Sequence, residues 1–226
     1  MPKSERAFVW AGGILFVGSL AVCAYTYLIR WAVAHDVDWT ASGFNAVIFT
    51  VFALHHSLFA RTRTKDALSR LVPDRLLRSV YVWMASLLLV AVCVLWKPVG
   101  GVVYHHTGWI AVVHGIVQAL GVWIVAQSVR AIDPLELAGI RSQSDAAGLQ
   151  VTGPYRLVRH PLYLGWILMV FGAALVTGDR LAFAVITTLY LALAIPWEER
   201  SLRVTFGSDY ERYMRHVRWR MIPFIY

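Results

Sequence analysis

Cys23 and Cys93 are the only thiols in 226 residues, and both stand inside apolar runs. A disulfide-dense scaffold is therefore excluded, and so is a four-cysteine zinc site. Charge is scarce as well. Asp, Glu, Lys and Arg together make up 15% of the chain, where a soluble globular domain carries about 25%. Acidic residues are the rarer sign, 13 against 21 basic, which leaves a formal net charge of +8. The remainder is apolar: 58% of residues are hydrophobic and the mean hydropathy is +0.59. Such a chain has too much apolar surface to stay disordered. It predicts an all-α polytopic membrane protein.

A spanning helix needs about 20 mostly apolar residues, within a range of roughly 17–25. Six runs answer to this: residues 7–29, 43–59, 79–96, 109–129, 162–177 and 181–197. The last two are separated only by Gly178-Asp179-Arg180, a spacing that predicts a tight helical hairpin. The first run is long and has no small-residue cleavage site after it, so it is expected to stay as a span. With both termini cytoplasmic, 18 of the 21 basic residues fall on the inner side, in residues 1–6, 61–78, 130–159 and 200–220. Only Arg30, Lys97 and Arg180 fall outside. This asymmetry predicts that orientation and makes the basic residues markers of topology, so no nucleic-acid partner is expected. The chain divides into a four-helix membrane region, 1–129, and a second region, 130–226, holding a cytosolic connector, the last hairpin and a tail; together they are expected to form one integrated domain.

Polar residues gather at the inner ends of the last two runs. Pro161 suits the first turn of a helix, where its missing N–H costs nothing. The helix start behind it offers unpaired N–H groups and the positive end of the dipole to an anionic or polar ligand group. Arg159, His160 and Tyr163 lie around that start. The same residues also suit an interfacial belt that anchors a helix among lipid headgroups. Glu198 and Glu199 stand at the inner mouth of the last run, where acidic residues need solvent, a partner or a function. One partner is available locally, since Glu199 and Arg203 are four apart. The hairpin, however, brings the two carboxylates beside Arg159, His160 and Tyr163. A tail broken at Gly207 follows, with Tyr210 and Tyr213 in an aromatic stripe. Acidic pair, basic cluster and aromatics together suit a zwitterionic cofactor bearing a purine.

His114 and Gln118, one turn apart, are expected to bond between helices. His55-His56 could line a substrate cavity. Neither pair has the third and fourth ligands that a metal site needs, and no metal is expected. No nucleophile elbow, phosphate loop, dinucleotide-binding glycine fingerprint or internal repeat is present.

The block Gly153-Pro154-Tyr155, Arg159-His160-Pro161-Leu162-Tyr163-Leu164-Gly165-Trp166, then Glu198-Glu199-Arg200-Ser201-Leu202, Phe206-Gly207, Tyr210, Tyr213, Val217 and Ile222-Pro223-Phe224-Ile225 resembles the isoprenylcysteine carboxyl methyltransferase family. The front half, with His55-His56-Ser57-Leu58-Phe59-Ala60-Arg61, Arg78-Ser79-Val80-Tyr81, Trp96-Lys97-Pro98 and Asp133-Pro134-Leu135-Glu136, resembles its NnrU-like branch, which includes bacterial methanethiol S-methyltransferases. The resemblance implies an integral-membrane enzyme, in a bacterial inner membrane, that uses S-adenosylmethionine (SAM). It implies a cofactor site at Arg159, His160, Pro161, Tyr163, Glu198, Glu199, Tyr210 and Tyr213. The acceptor would be a small or lipophilic thiol or carboxylate, a lipophilic one entering from the membrane lipid. His55, His56 or His216 could take a thiol's proton, and Arg215 or Arg218 could orient a carboxylate. His216 departs from the family, which commonly has arginine there. Two alternatives stay open: an NADPH-dependent sterol or enone reductase, suggested by the same Arg-His-Pro start and the Arg220–Tyr226 tail, and a non-catalytic membrane protein of the NnrU type.

Overall fold

The computed structural model describes residues 1–59, 68–141 and 148–226. Their contacts divide the chain into two compact units, the first comprising Met1–Gly101, Pro134–Ser144 and Thr177–Asp179, the second Val102–Asp133, Asp145–Val176 and Arg180–Tyr226.

The first unit contains α1 (Lys3–Leu28), α2 (Ala41–Phe59) and α3 (Asp74–Leu95). Pro73 precedes α3 and Asp74 stands in its first turn, where an acid complements the helix dipole. α1 and α3 meet through Gly12, where an added Cβ would stand 2.7 Å from Trp83 Nε1. The missing side chain lets the indole lie against α1, donate to the Phe8 carbonyl at 3.1 Å and stack on the Phe8 ring. After α3 the chain turns through Trp96–Gly101, and this turn is organised by one carboxylate. Asp179, 1% exposed, accepts from Trp96 Nε1 at 2.8 Å and from the N–H groups of Val99 and Gly100 at 2.9 and 3.1 Å. Asn45 closes the same turn from α2, trading bonds with the Lys97 main chain.

The second unit contains β1 (Val102–His105), α4 (Gly108–Ile132), α5 (Pro161–Phe171) and α7 (Ser208–His216), with nearly all of α6 (Gly178–Phe206). β1 pairs with the short strand β2 (Leu175–Thr177). α4 and α5 approach closely because Gly121 faces Gly165; a Cβ on either would come within 2.8 Å of the other's carbonyl oxygen. His114 and Gln118 bond across this interface to the carbonyls of Gly172 and Met169, at 3.2 and 2.9 Å, which is the inter-helix role read from their spacing.

Two sequence expectations need adjustment. The run 162–177 is helical only to Phe171; an eleven-residue helix is about 16 Å long, roughly half a bilayer core. The chain then continues as β2. Gly178-Asp179-Arg180 is likewise no break, since α6 starts at Gly178 and the non-helical link to α5 is residues 172–177. Asp179 is the physical reason: its carboxylate fastens the first turn of α6 to the Trp96–Gly100 turn. Among the described residues five helices, Lys3–Ala32 with its short 3-10 end, Ala41–Phe59, Asp74–Leu95, Gly108–Ile132 and Gly178–Phe206, are long and apolar enough to cross a membrane. At most 28% of each apolar window is buried within the protein. Apolar side chains turned outward over five such helices need an apolar surrounding, and the protein is a polytopic α-helical membrane protein.

Candidate active site

Four segments of the second unit build the site. A 3-10 turn, Gly153–Arg156, leads to the start of α5, where Pro161 is the buried first residue and His160 the cap. α6 runs through Pro196 without ending, so Glu198 and Glu199 sit on a helix rather than beyond one. Gly207, with φ +51°, breaks the chain between α6 and α7. α7 is strongly amphipathic. Its Tyr210 and Tyr213, one turn apart, are buried with Val217 against Leu149, Tyr155, Leu202 and Phe206. The tail then passes over the start of α5, with the Arg159 and His160 N–H groups donating to the Trp219 and Arg220 carbonyls at 2.9 and 2.7 Å.

These segments bring Arg159, His160, Tyr163, Glu198 and Glu199 together. Arg159 Nε donates to Glu199 Oε1 at 2.6 Å, both side chains being almost wholly buried. Arg159 Nη1 donates to the Val217 and Arg218 carbonyls at 2.8 and 2.7 Å. The pair is thus made across three segments, and Arg203, the local partner four residues on, contacts Met214 instead. His160 lies between the carboxylates. Its Nδ1 is 3.3 Å from Glu198 Oε2 and its Nε2 3.6 Å from Glu199 Oε1, the second too long for a hydrogen bond. Tyr163 stacks on the His160 ring and donates its hydroxyl to Glu198 Oε1.

Burial alone would lower the pKa of His160; Glu198 and Glu199 outweigh it and hold the imidazole above its ordinary range. Burial pushes the phenols of Tyr155 and Tyr210 up to about 12, with the carboxylate charges of Glu198 and Glu199 adding to the respective shifts. Tyr213 is raised too, mainly by burial, and donates to the Tyr155 carbonyl at 2.7 Å. Among the described residues, His160 Nε2 and the Tyr210 hydroxyl are buried polar atoms without a hydrogen-bond partner.

A cavity of about 580 Å³ is lined by Leu149, Val151, Arg156, Asp209, Arg212, Tyr213, His216 and Val217; the cluster reaches it through Val217, whose carbonyl accepts from Arg159. Small-molecule sites occupy roughly 300–1,000 Å³. His216 Nδ1 is 2.8 Å from the Arg212 carbonyl. A carbonyl only accepts, so Nδ1 is the donor in this contact. Arg215 and Arg218 are exposed. His55 and His56 lie in the first unit, where His55 stacks on Tyr81 and His56 Nδ1 shares a hydrogen bond with the Tyr81 hydroxyl. Sequence reasoning missed Arg220, whose Nε is 3.4 Å from Glu199 Oε2, and it missed Arg156, Asp209 and Arg212 on the cavity wall. An arginine 21 residues from its carboxylate leaves no periodic signal. Among the described residues no group of three or more His, Cys, Asp or Glu side chains is arranged to hold a metal ion.

A family model, phospholipid methyltransferase, matches residues 109–209, from α4 through the start of α7. The methanethiol S-methyltransferase of Crocosphaera subtropica is 36% identical over 184 residues, which is 77% of this chain and 72% of that one. The Mycobacterium tuberculosis protein of the same name is 33% identical over 184 residues, 76% and 75% of the two chains. A probable protein-S-isoprenylcysteine O-methyltransferase of Oryza sativa subsp. japonica is 37% identical over 76 residues, 32% and 39% of the two. No solved structure matches the chain. The chain belongs to the membrane methyltransferase family that includes the methanethiol S-methyltransferases, and it is a methyltransferase. The reductase and non-catalytic alternatives fall away, because the likeness to methyltransferases extends over three quarters of the sequence rather than the tail alone.

Proposed function

We propose that the protein transfers the methyl group of SAM to a small thiol, with the cofactor held in the second unit. The carrying observation is His160 between two carboxylates, with its Nε2 and the Tyr210 hydroxyl buried and without a hydrogen bond, and a cavity of small-molecule size lined by Tyr213 and Val217, which pack with Tyr210. SAM matches this donor set: it brings an ammonium, a carboxylate, ribose hydroxyls and a purine. Glu198, with its side chain 38% exposed, would add the ammonium or the hydroxyls to its contacts with Tyr163 and His160, and Glu199, 3% exposed, would hold Arg159 and Arg220 in place. Leu149, Val151, Tyr213 and Val217 would face the purine, and Arg156 or Arg212 the carboxylate. Pro161 fixes the helix start on which His160 and Tyr163 are mounted.

Bound there, SAM supplies an electrophilic methyl carbon, to which the acceptor sulfur bonds as the bond to the sulfonium breaks. The chain's task is to hold a thiolate in line, about 3–3.5 Å away, and to exclude water. Only the thiolate is nucleophilic, so a base must take its proton. His216 lines the cavity of the second unit and is the candidate base. Support for a thiol rather than a carboxylate comes from the relatives: the likeness covers most of the proteins named for methanethiol and only 39% of the one named for isoprenylcysteine. The 18 to 3 distribution of basic residues supports cytoplasmic termini, and we place the protein in a bacterial inner membrane, with SAM entering from the cytoplasm.

Calorimetry on protein in nanodiscs tests the cofactor. SAM and its demethylated product are expected to bind and NADPH not to; binding of NADPH alone overturns the reading.

A further inference from the structure

Beyond α7 the chain turns back on itself, sharply enough that Phe224 takes a left-handed φ of +66°. The hydrogen bonds of this turn converge on Tyr226. Its main-chain oxygen accepts from the N–H groups of Arg220, Met221 and Ile222 at 3.0, 2.8 and 3.0 Å, and its own N–H donates to Ile222 at 3.0 Å. The side chains meet as well. Arg220 Nη1 donates to the Tyr226 hydroxyl at 3.1 Å, and the guanidinium carbon stands 5.1 Å from the Tyr226 ring centroid. The same guanidinium faces Glu199 Oε2, the oxygen opposite the one that Arg159 holds. The Arg220 carbonyl, finally, accepts the His160 N–H.

We infer that Tyr226 is a positioning residue: by holding Arg220 through its ring, hydroxyl and main chain, it fixes the second cation on Glu199 and the backbone of His160. The inference rests on the proposed cofactor site. Arg220 has a side chain 35% exposed, and a long flexible side chain near water loses considerable rotamer freedom when held in one place. A ring under the guanidinium and a hydroxyl at its edge hold it there, using the flat face and the fixed donor fork that distinguish arginine from lysine. Glu199 is 2% exposed and has no water to replace a lost cation.

The test uses the full chain in nanodiscs, unmodified and as Y226A, Y226F, R220Q and Y226A/R220Q. SAM affinity is measured by calorimetry, and KM for SAM and kcat are measured separately. Y226A is expected to raise the dissociation constant and KM about tenfold with kcat within about twofold, and Y226F, which keeps the ring, to raise them only about threefold. R220Q should cost at least as much as Y226A, and the double variant no more than R220Q, because both act through one guanidinium. A merely structural role would instead lower thermal stability and active fraction without a KM effect that phenylalanine partly rescues. Unchanged affinity in both Tyr226 variants, or multiplied losses in the double variant, overturns the inference. If Y226A does not fold, Y226F against Y226F/R220Q decides on the same terms. Failure of the unmodified protein to bind SAM overturns the cofactor reading and this inference with it; normal binding with indifferent Tyr226 variants overturns this inference alone.

Discussion

Glu199 and Arg159 meet at 2.6 Å with side chains 3% and 7% exposed, while Glu198, the next residue on the same helix, has a side chain 38% exposed. Successive residues of an α-helix point about 100° apart. One carboxylate therefore turns into the protein as an anchor for the start of α5 and the tail, and its neighbour, more exposed, meets Tyr163 and His160.

The two glutamates should respond differently to the same change. Glu199→Gln leaves Arg159 without its counter-charge in a buried place, where breaking such a pair typically costs about 3–5 kcal/mol. Its signature is a large fall in the thermal midpoint. Glu198→Gln should cost clearly less stability than Glu199→Gln and weaken SAM binding about tenfold or more, as expected for a lost hydrogen bond to a charged group. Thermal melts and calorimetry on both variants check this; equal effects on stability would remove the division of roles.

His160 gives the site a defined pH response. Its pKa in the folded protein is raised by Glu198 and Glu199, against burial, while in the unfolded chain it is near 6.5. A raised folded value means that the charged imidazole stabilises the fold fully below the unfolded pKa, and that this contribution is lost as pH rises through the folded value. The thermal midpoint should therefore fall from pH 6 towards pH 9, and His160→Gln should flatten that fall. The groups facing His160 are Glu198, Glu199 and Tyr163, with Arg159 and Arg220 acting through Glu199. The same slope in the variant would assign the response elsewhere.

Gly121 and Gly165 are a second site of sensitivity. A methyl group at either would lie under 3 Å from opposing backbone, so α4 and α5 would have to separate. Overpacking of this kind costs about 1–3 kcal/mol. Since His160 caps α5, Gly165→Ala is expected to reduce both thermal stability and SAM binding. Gly115→Ala, on the same α4 with nothing within 4 Å, is the control that should change neither.

Much of this could be read from the chain. Five of the six apolar runs are helices of spanning length, and the two carboxylates do meet the Arg159–Tyr163 segment, because helix length and the spacing of polar residues are local properties. What escaped was non-local. Asp179 reads as an ordinary turn residue beside Gly178, and only the folded chain shows it accepting from three donors 79 to 83 positions away. The run 162–177 is uniformly apolar, and hydropathy does not distinguish its helical part from the strand that pairs with β1. Arg220 sits in a tail whose purpose depends on where α6 ends.

Asp179 gives a test independent of the cofactor. Asp179→Ala strands three buried donors, each costing about 1–3 kcal/mol, and should prevent accumulation of folded protein or lower its thermal midpoint sharply. Asp179→Asn keeps one acceptor oxygen but turns an amide towards a donor, so it should be destabilised too, though less. Melts of detergent-purified protein decide; a neutral Asp179→Ala would show that the Trp96–Gly100 turn is held by other contacts.

The central claim is methyl transfer from SAM to a small thiol, and isotope transfer tests it most directly. Purified protein in nanodiscs is given methyl-labelled SAM with methanethiol, other small thiols, a prenylcysteine or phospholipid amines. The account predicts labelled thioether from a small thiol, with the rate rising as pH favours the thiolate, and little or no label on the other acceptors. Label on the prenylcysteine carboxylate or on lipid amines, with none on any thiol, would contradict it.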